Sequence, residues 1–140
     1  MKHASSAEAH TLQQQGHTYV DVRSTVEFAA GHPAGAINLP LLEPDERTGH
    51  MQPNPDFLRV AKAVLPADAK ILVGCQVGGR SMRAAQMLEM VGFSDVTNVQ
   101  GGFDGSPYDP GWKRSGLPSE TEAERGTSYR SLLEKADAGT

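Results

Sequence analysis

The chain has one cysteine, Cys75. Taken alone, such a residue reads as a small buried hydrophobe, but its surroundings change the reading. The run Ile71-Leu72-Val73-Gly74-Cys75-Gln76-Val77-Gly78-Gly79-Arg80-Ser81 spells a buried strand, a nucleophile, a glycine turn, a cation and a helix start. Ligands of open α/β sheets bind at the carboxyl ends of strands, where this order places the sulfur. Gly78 and Gly79 admit backbone angles closed to other residues, so successive amides can face one cradle. The helix N-terminus adds partial positive charge and unpaired N–H donors, and Arg80 adds a permanent cation. An ordinary thiol titrates at about 8.5. Each unit of lowering requires about 1.4 kcal/mol of preference for the anion, and a hydrogen bond to a charged group contributes about 1.5–3 kcal/mol. A few cradle amides therefore suffice to hold a thiolate at neutral pH, with no histidine base.

The other reactive residue types point elsewhere. His3, His10, His17 and His50 show no metal-ligand spacing with one another or with Cys75, so no metal site is expected. Gly78-Gly79 lacks the pattern of a phosphate or dinucleotide loop, so no cofactor is expected either. Arg80 has two readings, contact with a bound anion or a carboxylate pair that holds the loop, and the first is favoured. Arg83, one turn later, reads as a solvated helix position.

The elements that must position Cys75 follow from patterning. Ser5 with Glu8, and Ser24 with Glu27, form capping boxes opening helices that stop at Gly16 and Gly31. Strands are expected at 19–22, 36–39, 70–74 and 96–99. Pro40 to Asn54 reads as a long polar loop, of the kind that tends to be functional or mobile. Asn54 as N-cap and Pro55 at the first helical position start a helix with Phe57, Ala61, Val64 and Leu65 on its apolar face. Residues 81–91 read as a helix closed by Gly92, with Phe93 making the accompanying apolar contact. This alternation predicts an α/β domain with a mainly parallel sheet. Residues 118–140 form a polar tail in which Tyr129, Leu132, Leu133 and Ala136 make one helical stripe, expected to dock on the body.

Composition sets the outer limits. The 140 residues are 38% hydrophobic with a formal net charge of −4, consistent with one domain able to bury a core. The basic residues are dispersed, which argues against nucleic-acid binding. No apolar run approaches the roughly 20 residues of a membrane span, and the opening residues lack the apolar core of a secretory signal. A single cysteine precludes an intramolecular disulfide and makes a reducing compartment, the cytoplasm, the natural setting.

Three ordered segments resemble the rhodanese family across residues 1–117. Tyr19-Val20-Asp21-Val22-Arg23-Ser24, Glu27-Phe28 and Gly31-His32-Pro33-Ala34-Gly35-Ala36-Ile37-Asn38-Leu39-Pro40 resemble its first signature; Cys75 to Ser81 resembles its active-site loop; Gly101-Gly102-Phe103 resembles its third landmark. The resemblance implies a rhodanese-like three-layer α/β fold with about five strands and helices on both faces. It implies a sulfurtransferase in which Cys75 takes a sulfane sulfur from a donor such as thiosulfate and passes it to cyanide or a thiol. Gln76, Val77, Gly78, Gly79, Arg80 and Ser81 would bind the substrate, while Asp21, Arg23 and His32 would support the loop. With no second cysteine, the acceptor is an external thiol or thiol protein. A low-turnover carrier or regulatory module is the first alternative. Rhodanese-like phosphatases and arsenate reductases resemble Cys-x5-Arg, and the shorter Cys-x4-Arg here disfavours that chemistry. Where the family has a nearby tryptophan, residues 106–111 intervene before Trp112. Oligomeric state is not legible.

Overall fold

Period-two alternation along the strands sets the layers. Ile71 and Val73 enter one apolar cluster and Leu72 the other, as Val20 and Tyr19 do on the neighbouring strand. The structure is a computed structural model that describes residues 1–76 and 79–139. In chain order the elements begin β1 (Lys2–Ala4), α1 (Ser6–Gln14), β2 (Thr18–Asp21), α2 (Thr25–Ala30), β3 (His32–Pro33), β4 (Ile37–Asn38). They continue β5 (Leu42–Pro44), β6 (Met51–Pro53), α3 (Phe57–Val64), β7 (Lys70–Gly74), α4 (Gly79–Met90) and β8 (Asp95–Val99). The chain closes with α5 (Gly111–Arg114), β9 (Ser119–Glu120) and α6 (Tyr129–Ala138).

The main sheet has five parallel strands in the order β1-β8-β7-β2-β4. Connections through α1 and α2 move toward β4, while those through α3 and α4 move back toward β1. Right-handed crossovers then require the two sets of helices to lie on opposite faces. They do. Ala9 of α1, Phe28 of α2 and Trp112 of α5 share one cluster with Tyr19 and Leu72. Phe57 and Val60 of α3, Ala84 and Leu88 of α4, and Leu132 of α6 share the other with Val20, Ile71 and Val73.

The expected caps are present. Ser5 and Ser24 each make both bonds of a capping box, with Glu8 and Glu27. Gly92 takes φ +105°, and the Phe93 amide returns to the Leu88 carbonyl at 3.2 Å with the Phe93 ring buried. Other readings need correction. The helix start needs moving: α3 begins at Phe57 behind Asp56, although Asn54 Oδ1 does accept from the Asp56 amide at 3.0 Å, the bond a capping residue makes. Asn54 Nδ2 also donates to the Pro40 carbonyl at 2.9 Å and to the Tyr129 hydroxyl at 2.9 Å. Residues 40–54 are not an irregular loop: β5 and β6 pair antiparallel within them. Glu43 of that hairpin accepts from the Thr25 amide at 2.7 Å and the Thr25 hydroxyl at 3.1 Å. This clamps the hairpin to the start of α2. In the tail, α6 is capped by Ser128 and buries Leu132 and Ala136.

The segment before α5 is anchored by one carboxylate. Asp109 accepts from the Ser6 amide at 3.1 Å, the Ser6 hydroxyl at 2.7 Å and the Gly111 amide at 2.8 Å. Trp112 is fully buried, edge-on to Tyr19 with ring centroids 5.3 Å apart. Its indole N–H donates to the Pro118 carbonyl at 2.7 Å.

Candidate active site

Neighbouring β7 and β2 send their following connections in opposite directions, β7 toward β8 and β2 toward β4. Their carboxyl ends therefore flank the switch point where an open α/β sheet forms its crevice. Cys75 follows β7, and Asp21 and Arg23 stand at the end of β2, so the topology brings together residues distant in sequence. Asp21 and Gly74 are register partners.

Gly74 has a packing reason to be glycine. A Cβ there would lie 1.9 Å from the Tyr19 hydroxyl. The next turn explains Gly101-Gly102-Phe103. Gly102 has φ +57°, and a Cβ on it would lie 2.3 Å from the Cys75 carbonyl oxygen. That close approach lets the Phe103 amide donate to the Cys75 carbonyl at 2.7 Å and the Asp104 amide to the Gln76 carbonyl at 3.0 Å. The Gln76 amide donates to Asp104 Oδ2. The base of the loop is thus held like a strand extension by the turn opposite it.

Arg23 is the junction. It is 2% exposed, and its Nη2 donates to Asp21 Oδ2 at 2.7 Å and to the Gly31 carbonyl at 2.7 Å. Nε donates to Asp21 Oδ1 at 3.0 Å, and Nη1 to Gln76 Oε1 at 3.1 Å. The guanidinium lies 4.6 Å from the Phe103 ring centroid, a cation–π geometry. Burial is the largest influence and would lower the Arg23 pKa, but the bonds to Asp21 and the nearby charges of Asp21 and Glu27 together outweigh it, and the group is held further toward its charged form. Asp21 receives one backbone amide, that of Arg23, at 3.0 Å.

Cys75 is more deeply set than its sequence conveys, being 2% exposed. Its Sγ donates to Ser81 Oγ at 3.5 Å, in the first turn of α4. Val77 and Gly78 lie outside the described residues, and the expected convergence of their amides on the sulfur lies there with them. Gly79 and Ser81 open α4, the first exposed and the second fully buried.

Arg80 takes the second of its two readings. Nη1 and Nη2 meet Glu27 Oε1 and Oε2 at 2.7 and 2.9 Å, the two-point geometry that suits guanidinium to carboxylate. Glu27 thus faces both terminal nitrogens, and contact with a donor anion, which the sequence reading favours, stays a proposal. Glu27 also caps α2, so one carboxylate ties α2 to α4. The Arg80 bonds hold the Glu27 pKa down from 4.5 to about 2, with burial opposing and the Ser24 amide assisting. A carboxylate with a lowered folded-state pKa contributes stability above its unfolded value and loses it as pH falls toward the folded one. Thermal stability of the native chain is therefore expected to decline from about pH 4.5 toward pH 2. Glu27→Gln, which retains capping capacity, should show a shallower decline in melting temperature over that window.

His32 is fully buried, stacked on Phe28 with its Nδ1 2.7 Å from the Phe28 carbonyl and its Nε2 3.2 Å from Glu120. It braces α2 against β9. Beside the loop is a cleft of about 220 Å3 whose lining includes Arg23, Glu27, Gly31, Gln76, Phe103 and Lys113. A larger hollow of about 440 Å3, at β1 and α1, contains none of the loop residues. Among the described residues no group of three or more His, Cys, Asp or Glu is placed to hold a metal.

Sequence reasoning missed Glu27 as the partner of Arg80, Asp104 as the partner of Gln76, and Asn98, which accepts from Ser81 Oγ at 2.6 Å. Glu27 was already accounted for by its cap. In Asp95-Val96-Thr97-Asn98-Val99 the polar residues outnumber the apolar ones, so nothing local marked Asn98.

Comparison with known proteins gives a consistent result. The model of the family described as Rhodanese-like domain matches residues 5–106. Thiosulfate sulfurtransferase 16, chloroplastic, from Arabidopsis thaliana is 39% identical over 112 residues, covering 80% of this chain and 87% of its own. Thiosulfate sulfurtransferase GlpE of Haemophilus influenzae is 32% identical over 120 residues, covering 86% of this chain and 95% of its own. The crystal structure of Rv0390 from M. tuberculosis superposes with TM-score 0.72 at 22% identity, over 87% of this chain and 98% of that one. At that identity the likeness is one of fold.

Proposed function

This chain belongs to the rhodanese-like family, and on that footing we propose that it is a sulfurtransferase in which Cys75 carries the sulfur as a persulfide. The observation that carries the reading is the placement of the one cysteine at the sheet's switch point, against the first turn of α4. The relatives named thiosulfate sulfurtransferase support thiosulfate as the donor class.

The Cys75 thiolate attacks the outer sulfur of thiosulfate. A new S–S bond forms, the S–S bond of thiosulfate breaks, and sulfite leaves with the bonding pair. Cys75 then bears a terminal anionic sulfur, which the helix start favours. An external thiol or cyanide attacks that sulfur, and the Cys75 thiolate departs. The acceptor comes from outside because the chain holds no second cysteine. A single reactive thiol suits a reducing compartment such as the cytoplasm.

The deep setting of Cys75 favours one other reading, a carrier that loads and discharges slowly. Steady-state transfer from thiosulfate to cyanide separates the two: the enzyme reading expects sustained turnover, and the carrier reading one equivalent of sulfur followed by arrest. Hydrolysis of para-nitrophenyl phosphate, which the short Cys-x4-Arg loop disfavours, serves as the control for oxyanion chemistry.

A further inference from the structure

We infer that His3, on the outermost strand of the sheet, is a positioning residue for Cys75, acting through Asn98 and Ser81; the inference rests on the sulfurtransferase reading. The hydrogen bonds form an unbroken series. Cys75 Sγ donates to Ser81 Oγ at 3.5 Å, and Ser81 Oγ donates to Asn98 Oδ1 at 2.6 Å. Asn98 Nδ2 stands 3.3 Å from His3 Nδ1. His3 and Asn98 are register partners in the β1–β8 pairing. Cys75, Ser81 and Asn98 are each 3% exposed or less, whereas His3 is exposed and lines the 440 Å3 hollow. The series runs from a covered sulfur to solvent.

Its polarity depends on the charge of the sulfur. A thiol donates, so each link donates outward and His3 Nδ1 is the final acceptor, with the ring proton on Nε2. A thiolate or persulfide anion cannot donate. Ser81 then turns its one proton to the sulfur, and Asn98 Oδ1 loses its donor in a buried setting, which is costly. A half-turn of the Asn98 amide exchanges donor and acceptor at almost no steric cost. Nδ2 then donates to Ser81 Oγ, and Oδ1 faces His3 Nδ1, which must now carry a proton. Solvent supplies that proton at the exposed ring. Negative charge at position 75 and a proton on His3 Nδ1 thus favour one another, and the coupling is reciprocal.

Charged neighbours enter the same balance. Lys2 pairs with Asp95 and the Met1 amino group with Glu89, each at 3.0 Å. Glu8 and His17 line the hollow with His3. On the sulfur side stand the Arg80–Glu27 and Arg23–Asp21 pairs. None of these ion pairs includes His3.

The test compares pH profiles of Cys75 alkylation by iodoacetamide in the full-length protein, His3→Phe and His3→Gln. A phenyl ring shields Asn98 from water that would otherwise substitute for the imidazole, and glutamine both donates and accepts. His3→Phe should move the profile upward by about half a pH unit, a slowing of about threefold below the midpoint. His3→Gln should keep the native profile. Reciprocally, the His3 ring resonances should titrate at higher pH after thiosulfate loading than in the reduced protein. Superimposable profiles for the native chain and His3→Phe would overturn the inference, as would equal shifts in both variants. Failure of thiosulfate to load sulfur would instead overturn the sulfurtransferase reading, and the alkylation profiles would still decide the relay.

Discussion

Replacing Cys75 by serine should give a folded protein that takes no sulfur from thiosulfate and passes none to cyanide. The loss should exceed about a thousandfold, because removing a covalent nucleophile deletes the intermediate itself and not merely its stabilisation. Stability should change little, by about 1 kcal/mol or less, since the new hydroxyl occupies a similar volume and can keep a hydrogen bond to Ser81. The measurement is thiosulfate-to-cyanide transfer beside a thermal melt. A Cys75→Ser protein that retains transfer would move the chemistry away from this loop.

Asp21→Ala should act in the opposite way, on the fold first and on activity through it. Asp21 is 1% exposed and Arg23 2% exposed, and their pairing neutralises the Arg23 charge beneath the loop. Removing one member of a buried pair leaves the other uncompensated, at a cost of about 3–5 kcal/mol. For a chain of this size that corresponds to a fall in melting temperature of roughly 10–20 °C. Activity should fall as the Arg23 contacts to Gln76 and Gly31 loosen. Asp21→Ala combined with Arg23→Met should recover part of the lost stability, because the stranded charge goes with its partner. An Asp21→Ala protein with an unchanged melting temperature and a large loss of transfer would assign Asp21 a direct chemical role.

The legible parts of this molecule are those written in local chemistry. The apolar run of β7, the two capping boxes and the Gly92 stop can each be read from a few adjacent residues, and the glycine turn after Cys75 marks the candidate nucleophile. The parts that escape reading depend on distant partners. β1 is three residues long, and its Lys2 and His3 face solvent, so no apolar pattern announces it. The hairpin at 42–53 is polar and carries Pro44 and Pro53, yet it holds because Glu43 meets Thr25 of α2. Asn54 reads as a cap, and its Oδ1 does accept from the Asp56 amide, but its bonds to Pro40 and Tyr129 have no local signature. In the site, Arg80 reads as a cation without a named carboxylate, and only the folded arrangement shows that Glu27, 53 residues away, pairs with it.

The account depends most on Cys75 accepting a sulfur atom and giving it up again. Intact-mass measurement of the full chain after thiosulfate treatment tests this directly. The expected result is a gain equal to one sulfur atom, located at Cys75, absent from Cys75→Ser and removed by cyanide with release of thiocyanate. A chain whose mass is unchanged by thiosulfate, with Cys75 still open to alkylation, would contradict it.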